Sequence, residues 1–230
     1  SSELDLKWNP ISHRRIALYV EKRKRGLGTM LGRAPAFFPL FEEVLDKKGL
    51  PLELKYLPIV ESALNPEARS HAGARGLWQF MYYTAKAEGL RIDSYIDERK
   101  DPRKSTEAAS NHLNRLYSMY DDWYLALAAY NAGEGRVGRT QKKNKRNKKG
   151  TDFYSLNLPM ETRNYVPKLL AIRNIMQNPA KYGITLKDIP YKPYFESVEV
   201  PDEIDTELAA RLAEISLEEF QLLNAEHKRP

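Results

Sequence analysis

The sequence predicts an all-α fold. Apolar residues recur at helical spacing along most of the chain, helix start and stop residues fall between these runs, and no alternating strand pattern occurs before residue 190. Of the 230 residues, 42% are hydrophobic, and the aromatic residues comprise 14 Tyr, 7 Phe and 3 Trp. This composition excludes a disordered chain and supplies the core of one large domain with a small appendage.

Two helices are predicted before residue 50. Ser12 is a candidate N-cap for a helix that runs to Gly26. A second helix carries Val44 and Leu45 on its apolar face and stops at Gly49, a residue type that is common just after a helix end.

The next two predicted helices contain Glu61 and Gln79. One begins near Pro51 and is predicted to kink at Pro58, because an internal proline removes a backbone hydrogen bond. The other runs from Leu77 to Glu88, which places Gln79 in its first turn.

Three longer helices follow. Asp101 precedes a first-turn proline and opens a helix with an apolar face. The run from Trp123 to Asn131 is almost wholly apolar, which is typical of a buried central helix, and Gly133 ends it. The last long helix spans Met160 to Gln177 and contains an internal proline.

The sequence changes character after residue 190. Prolines flank a partly alternating run from Tyr194 to Val200, which predicts an extended segment. Two short helices are predicted after it, at Thr206 to Ala213 and at Ser216 to Asn224. We therefore expect a main domain at residues 1–195 and a small C-terminal extension at residues 196–230.

Charge is distributed unevenly along the chain. The net charge is +6, the segment Lys142–Lys149 has six basic residues in eight, and ten acidic but only three basic residues occur from Glu196 onward. A basic main domain favours an anionic polymer, such as nucleic acid or a wall glycan that bears carboxylates. The basic segment itself is predicted to be a solvated loop. Aromatic residues are not interleaved with its charges, so a stacking platform for nucleic acid is not indicated.

Other features of the sequence limit the function classes. No run approaches the roughly 20 apolar residues of a membrane span, and the start at Ser1 shows no secretory leader, so a secreted protein would be seen here after processing. Cysteine is absent and the four histidines are scattered. We expect no metal site and no cofactor.

Four short stretches place polar residues in apolar or glycine-rich surroundings. Each also has an ordinary structural explanation: a solvent-facing glutamate, a tight turn before a helix, a satisfied core tyrosine with an asparagine cap, and a half-buried tyrosine. A buried glutamate is costly unless it is paired or protonated. The stretches are Val60-Glu61-Ser62, Gly73 to Met81 with Gln79, Ala128 to Gly133 with Tyr130 and Asn131, and Glu161 to Val166 with Tyr165.

Together, the order and spacing of these stretches resemble the soluble-lytic-transglycosylase family, which has a lysozyme-like fold. The matching motifs are Glu61-Ser62, Gly76-Leu-Trp-Gln79, Ala129-Tyr-Asn131 and Glu161-Thr-Arg-Asn-Tyr165-Val. Within the family, Tyr56-Leu-Pro-Ile-Val-Glu-Ser-Ala and Ala128-Ala-Tyr-Asn-Ala-Gly-Glu-Gly-Arg-Val are similar to the membrane-bound lytic murein transglycosylase D group. The resemblance covers about residues 10–195 and implies a lysozyme-like helical domain with extra N-terminal helices.

The resemblance also implies a reaction and its residues. Members cleave the bond between N-acetylmuramic acid and N-acetylglucosamine in peptidoglycan without water and close a 1,6-anhydro ring. Glu61 corresponds to the single acid and base. The residues expected to contact the glycan are Ser62, Ser70, Gln79, Tyr130, Asn131 and Tyr165.

The partner implied by the resemblance is the peptidoglycan glycan strand, and nucleic acid is not expected. The implied location is the periplasm, with association to the outer membrane, and membrane attachment would use a segment outside this chain. We expect a monomer. From Val198 onward, the extension resembles an incomplete LysM-type glycan-binding unit without an obvious closing strand, and a docked helical tail is the alternative.

The chemistry of the implied reaction agrees with Glu61. A free glutamate with a pKa of about 4.3 is only about 0.2% neutral at pH 7, whereas a pKa of about 6 leaves about 10% neutral. The apolar run before Glu61 favours such a shift. Ordinary glycosidases use two carboxylates, and the family pattern supplies one, so the acetamido group of the substrate is a candidate for charge stabilisation.

Three other functions stay open at this point. A muramidase would hydrolyse the same bond, and the mass of the product distinguishes the two reactions. A catalytically silent wall-binding module would keep the fold and lack turnover. A nucleic-acid binder would show salt-dependent binding through the basic segment.

Overall fold

The computed structural model describes residues 32–183, 195–196, 198–200 and 203–228. These ranges contain isolated β-bridges but no strand, so the all-α prediction is confirmed for them. The predicted helix from Ser12 to Gly26 lies outside the described residues.

Three short 3-10 helices occur at Leu52–Tyr56, Phe153–Ser155 and Pro179–Tyr182. The α-helices are α1 (Ala34–Lys47), α2 (Leu57–Ser62), α3 (Tyr82–Ala87), α4 (Pro102–Tyr120), α5 (Trp123–Ala132), α6 (Glu134–Arg146), α7 (Met160–Gln177), α8 (Thr206–Leu212) and α9 (Leu217–Leu223).

Helix α5 is the centre of the main domain, as its apolar sequence predicted. It packs against α4, α6 and α7, and residues 125–129 are buried. Three of these five residues are alanines, which let the neighbouring helices approach closely. Asp122 caps the helix by accepting hydrogen bonds from the backbone N–H groups of Tyr124 and Leu125, at 2.7 and 3.2 Å.

An aromatic cluster joins α1 to the middle of the chain. The rings of Phe41 on α1 and Trp78 lie edge to face at 5.4 Å, and Trp78 is fully buried. The indole N–H of Trp78 donates to the hydroxyl of Thr106 on α4 at 2.9 Å. Because Trp78 is held from two sides, the backbone on either side of it is fixed against the core.

Two predicted helices near the middle of the chain were wrong in extent. The segment from Pro51 to Glu61 is not one kinked helix: it divides into a 3-10 helix and α2, and Pro58 occupies the first turn of α2, where its missing N–H costs nothing. The predicted helix from Leu77 to Glu88 begins only at Tyr82. The preceding residues form turns, because Gly76 and Gln79 both have positive φ angles.

The basic segment Lys142–Lys149 is not a loop through its whole length, which corrects the prediction. Helix α6 continues to Arg146, and only the end of the segment leaves the helix. The side chain of Asn144 explains this continuation. It is buried, and its amide donates to the backbone oxygens of Gly150 and Ser155, at 2.8 and 2.9 Å.

The C-terminal helices α8 and α9 pack against each other, and residues 226–228, which follow α9, dock on the main domain. The N–H of Asp97 donates to the carbonyl of Glu226, and the N–H of Lys228 donates to the carbonyl of Tyr95, both at 2.9 Å. Ile96 and His227 form an antiparallel bridge between these two bonds. The described part of the predicted extended run, residues 195–196 and 198–200, forms no strand. The boundary between residues 195 and 196 stays a prediction.

Candidate active site

Glu61 lies in the last turn of α2 and faces α7. Its side chain is only partly exposed, and its carboxylate accepts a hydrogen bond from the phenol of Tyr165. Burial raises the pKa of Glu61 to about 7, and the hydrogen bond from Tyr165 opposes this rise. The negative charge of Glu161 also raises the pKa, whereas the positive charge of Lys168 lowers it. Glu61 is therefore a carboxyl group that is substantially protonated near neutral pH.

The end of α2 is fixed by Ser62 and by a reversal of the chain. The hydroxyl of Ser62 lies 2.9 Å from the carbonyl oxygens of both Pro58 and Leu77. Ala63 and Leu64 both adopt left-handed conformations and turn the backbone away from the helix. Ser62 was predicted to contact a glycan, but its buried hydroxyl bonds to backbone and joins α2 to the residue before Trp78.

The turn from Gly76 to Gln79 forms a second part of the site. A Cβ atom on Gly76 would lie 1.8 Å from the carbonyl oxygen of Arg99, so only glycine fits there. Gln79 has a φ of 52°. Its side-chain amide donates to the backbone oxygens of Ala68 and Gly76, at 3.2 and 2.9 Å. These bonds fix the orientation of the Gln79 amide.

A buried ion pair supports this turn. Arg99 and Asp97 are joined at 2.7 Å, and their side chains are 6% and 2% exposed. The Arg99 guanidinium also donates to the carbonyl oxygens of Gly73 and Phe80, at 3.2 and 3.4 Å. Neither residue was predicted from the sequence, because residues 97–101 are a run of mixed charges with the same pattern as a solvated surface.

Tyr130 approaches the site from the end of α5. Its hydroxyl donates to the carbonyl oxygen of Trp78 at 2.7 Å, and its ring lies 5.6 Å from the ring of His112. Burial first, and then the negative charges of Glu61 and Glu88, raise the pKa of Tyr130 well above its ordinary value. Tyr130 therefore stays neutral beside Glu61.

The remaining predicted residues lie at the edge of this cluster. Asn131 follows Tyr130 on α5 and is half-buried. Ser70 lies in a tight turn, where its hydroxyl accepts a hydrogen bond from the N–H of Ala74 at 3.0 Å. The structure thus brings the segments of Glu61, Gln79, Tyr130 and Tyr165 together and places Ser70 in the adjoining turn.

Helix α7 contributes two charged residues that received no role from the sequence. Glu161 and Lys168 are exposed, and they lie four residues before and three residues after Tyr165. This spacing places all three on one face of the helix. Both charges act on the pKa of Glu61, in opposite directions.

The described residues contain no group of three or more His, Asp or Glu side chains that could hold a metal ion. A protonated carboxyl group between neutral tyrosines can deliver a proton to an oxygen atom. Burial also raises the pKa of Tyr165 well above its ordinary value, so its phenol remains a hydrogen-bond donor. The all-helical fold and this site define a helical protein in which a carboxyl group of raised pKa lies beside two neutral tyrosines.

Comparison with known proteins identifies the family. Residues 39–153 match the transglycosylase SLT domain, and the chain belongs to this family. The predicted resemblance and the lysozyme-like helical fold are thereby confirmed. The membrane-bound lytic murein transglycosylase D of Escherichia coli (strain K12) is 43% identical over 182 residues, which are 79% of this chain and 40% of that protein. This chain therefore spans less than half of the length of that relative.

Two further similarities extend the comparison. The peptidoglycan transglycosylase gp16 of Escherichia phage T7 is 38% identical over 136 residues, which are 58% of this chain and 10% of that protein. A solved complex of the 70-kDa soluble lytic transglycosylase with bulgecin A has a TM-score of 0.55 and 27% identity, over 73% of this chain and 29% of that one.

Among the described residues, no helix has the length and apolar character needed to cross a bilayer.

Proposed function

We propose that this protein is a peptidoglycan lytic transglycosylase and that Glu61 is its single acid and base. The observation that carries the proposal is the pKa of Glu61, which burial raises to about 7 beside the phenol of Tyr165. The matched family and the relatives named as murein and peptidoglycan transglycosylases support it. The bond to be cleaved is the β-1,4 bond between N-acetylmuramic acid and N-acetylglucosamine.

In the first step, the neutral carboxyl group of Glu61 donates its proton to the bridging oxygen. The bond from the muramic anomeric carbon to this oxygen breaks, and N-acetylglucosamine leaves with the proton. Glu61 is then a carboxylate that accepts a hydrogen bond from Tyr165. This bond stabilises the charged form at the stage where it is needed.

In the second step, Glu61 acts as the base. The 6-hydroxyl oxygen of the muramic residue attacks the anomeric carbon, its proton passes to Glu61, and a 1,6-anhydro ring closes. No water is consumed and the acid is regenerated. Since one carboxylate serves both steps, the acetamido group of the substrate is a candidate for stabilising the positive charge at the anomeric carbon.

The other predicted residues take positions around the sugar in this proposal. Ser70, Gln79 and Asn131 are the polar contacts, and Tyr130 and Tyr165 form the neutral wall beside Glu61. Ser62 has a positioning role and does not contact the sugar, because its hydroxyl joins α2 to the Leu77 backbone. We further propose a monomer in the bacterial periplasm, with attachment to the outer membrane through a segment outside this chain.

Digestion of purified sacculi tests the proposal. We expect soluble muropeptides that end in an anhydro ring, each lighter by one water than a hydrolysis product in mass spectrometry. Glu61→Gln should bind sacculi normally and lose at least about a hundredfold in release rate, because general acid–base catalysis contributes on the order of 10²–10⁴. Products with a reducing end would establish the muramidase instead. Release of more than a few per cent of the wild-type product by Glu61→Gln would remove this residue from the mechanism.

A further inference from the structure

Helix α6 presents a basic face to solvent. The buried side of the helix is formed by Val137 and Asn144, and Asn144 is anchored to the backbone of the following turn. At 100° per residue, the positions furthest from these two residues lie on the opposite side of the helix. Of the six exposed basic residues of the helix, Arg139, Lys142, Lys143 and Arg146 lie on that side, and Arg136 and Lys145 flank it at about 90° from the buried side. Together these six residues are named the basic face of α6.

Among the described residues, the charges of the basic face have no ion-pair partners. The single acidic residue of α6 is Glu134, and its carboxylate is paired with Arg115 on α4 at 2.7 Å. In the described ranges, no ion pair includes a residue of the basic face. Neighbouring cations on one helix repel each other. The basic face of α6 is therefore a patch of positive charge that has no ion-pair partner among the described residues and is held on a helix.

The position of the basic face relates it to the candidate active site. Helix α6 begins three residues after Asn131, and Gly133, with a φ of 87°, turns the chain between α5 and α6. Helices α5 and α6 also pack against each other. The 13 residues of α6 span about 20 Å at about 1.5 Å per residue. The basic face thus starts beside Tyr130 and Asn131 and leads away from them along the surface.

We propose that the basic face of α6 binds the acidic peptides that a peptidoglycan strand carries outside the cleaved sugar bond. This inference rests on the proposed function, which places the glycan against Glu61 and Asn131. The peptides carry free carboxylates, and flexible basic side chains on a fixed helix suit carboxylates that vary in position. The protein is accordingly specific for peptide-bearing glycan over strands stripped of peptide.

Each contact of this kind is weak, and salt screens it. Exposed charges interact over a Debye length of about 8–10 Å at physiological ionic strength. A localised field of one sign raises the rate of association by a factor on the order of 10 to 10³ and loses this effect as salt rises. The contribution of the basic face is therefore greatest for association and at low salt.

The test uses two variants that each remove three positive charges. Arg139→Gln/Lys142→Gln/Arg146→Gln alters the basic face and leaves Val137 and Asn144 in place. The matched control, Lys86→Gln/Lys181→Gln/Arg211→Gln, alters exposed residues outside α6 that take part in no ion pair of the described chain. Glutamine is close to lysine and arginine in helix propensity, so circular dichroism should show unchanged folds.

Two substrates separate the peptide from the glycan. On peptide-bearing sacculi at low salt, we expect the basic-face variant to release product about tenfold more slowly than the wild type, and the difference should shrink in about 0.5 M salt. On strands from which an amidase has removed the peptides, it should match the wild type. The control variant should match the wild type on both. An equal loss on both substrates, or no loss on sacculi, would overturn the proposal.

A binding measurement keeps this inference separate from the proposed activity. In a Glu61→Gln background, co-sedimentation with sacculi should fall several-fold when the basic face is altered, whether or not Glu61 is the catalytic acid. Unchanged co-sedimentation would overturn the peptide contact alone. Vesicles that contain phosphatidylglycerol serve as the rival probe. If the basic-face substitutions abolish vesicle binding and leave sacculus binding intact, the partner is an anionic membrane and the proposal is wrong.

Discussion

The phenol of Tyr165 donates a hydrogen bond to the carboxylate of Glu61, although 104 residues separate the two in the chain. The bond joins the last turn of α2 to the first half of α7, and these helices pack directly against each other. It stabilises the charged form of a carboxyl group whose neutral form burial favours. The balance between these two effects sets the protonation of Glu61 near neutral pH.

Removal of the Tyr165 hydroxyl should shift the pH dependence of activity. In Tyr165→Phe the bond that lowers the pKa of Glu61 is lost, so this pKa rises further above its ordinary value. The alkaline limb of the rate profile should move to higher pH, because Glu61 must be protonated to act as an acid. Product release from sacculi between pH 5 and 9 measures the shift. An unmoved limb would show that another group controls it.

Glu61→Gln should make the protein more stable at alkaline pH. The pKa of Glu61 is about 7 in the folded protein, against a reference value of 4.5. The folded state thus binds the proton more tightly than the unfolded chain does. The stabilisation from this proton is complete below about pH 4.5 and is lost as pH rises through about 7. Glutamine is neutral at every pH, so the variant should gain up to about 3 kcal/mol over the wild type at pH 8.

Urea unfolding at pH 4 and at pH 8 measures this effect. The difference in the free energy of unfolding between Glu61→Gln and the wild type should be larger at pH 8. Glu107→Gln, on the exposed side of α4, is the matched control for the loss of a surface carboxylate. A pH-independent difference for Glu61→Gln would contradict the raised pKa.

Gly76 and Gly89 allow the cost of a steric clash to be separated from the cost of backbone strain. Their φ angles are similar, at +80° and +85°. A Cβ at Gly76 would lie 1.8 Å from the Arg99 carbonyl oxygen, whereas a Cβ at Gly89 meets nothing within 4 Å. Gly89→Ala should cost about 1–2 kcal/mol. Gly76→Ala should cost more than about 3 kcal/mol and should also lower activity, since the turn carries Gln79.

Thermal unfolding and sacculus digestion of both glycine variants provide the measurement. Equal losses of stability would mean that the backbone of Arg99 moves aside at little cost.

Docking of residues 226–228 on the main domain should depend on pH through Glu226. Burial first, and then the charge of Asp101, raises its pKa to about 7, against the opposing effects of a hydrogen bond from its own backbone N–H and of the charges of Lys104 and Lys100. One of its carboxylate oxygens is buried and has no hydrogen-bond partner among the described residues, which also favours the protonated form. The docked state therefore binds the proton more tightly. Docking should be strongest at acidic pH and should weaken as pH rises toward about 7.

Hydrogen exchange at the amides of Asp97 and Lys228 reports on this docking, because both donate hydrogen bonds across the contact. Glu226→Gln should protect these amides more than the wild type does at pH 8, and the two proteins should converge below about pH 4.5. A constant ratio of protection across this range would exclude Glu226 as the titrating group.

The sequence by itself determined the helical class, most helix limits and the family. Asp101 and Ser216 accept backbone hydrogen bonds at helix starts, and Gly133 ends α5, because capping depends on residues close in the chain. The four motifs were sufficient to indicate Glu61, because their order and spacing can be read from the sequence without any knowledge of packing. Local signals failed at Pro58, Gln79 and the basic segment, where contacts with distant residues set the backbone.

Only the tertiary structure decided the environment of Glu61 and the roles of its neighbours. Whether a glutamate is neutral depends on what surrounds it: here burial favours the neutral form of Glu61, and the hydrogen bond from Tyr165 on α7 opposes it. The structural role of Ser62 and the support of the Gly76 turn by Arg99 likewise depend on contacts across the fold. The docking of residues 226–228 on residues 95–97 also depends on contacts between segments that are distant in the chain. A desolvated charge and a backbone clash arise from the meeting of distant segments, so no local pattern in the chain predicts them.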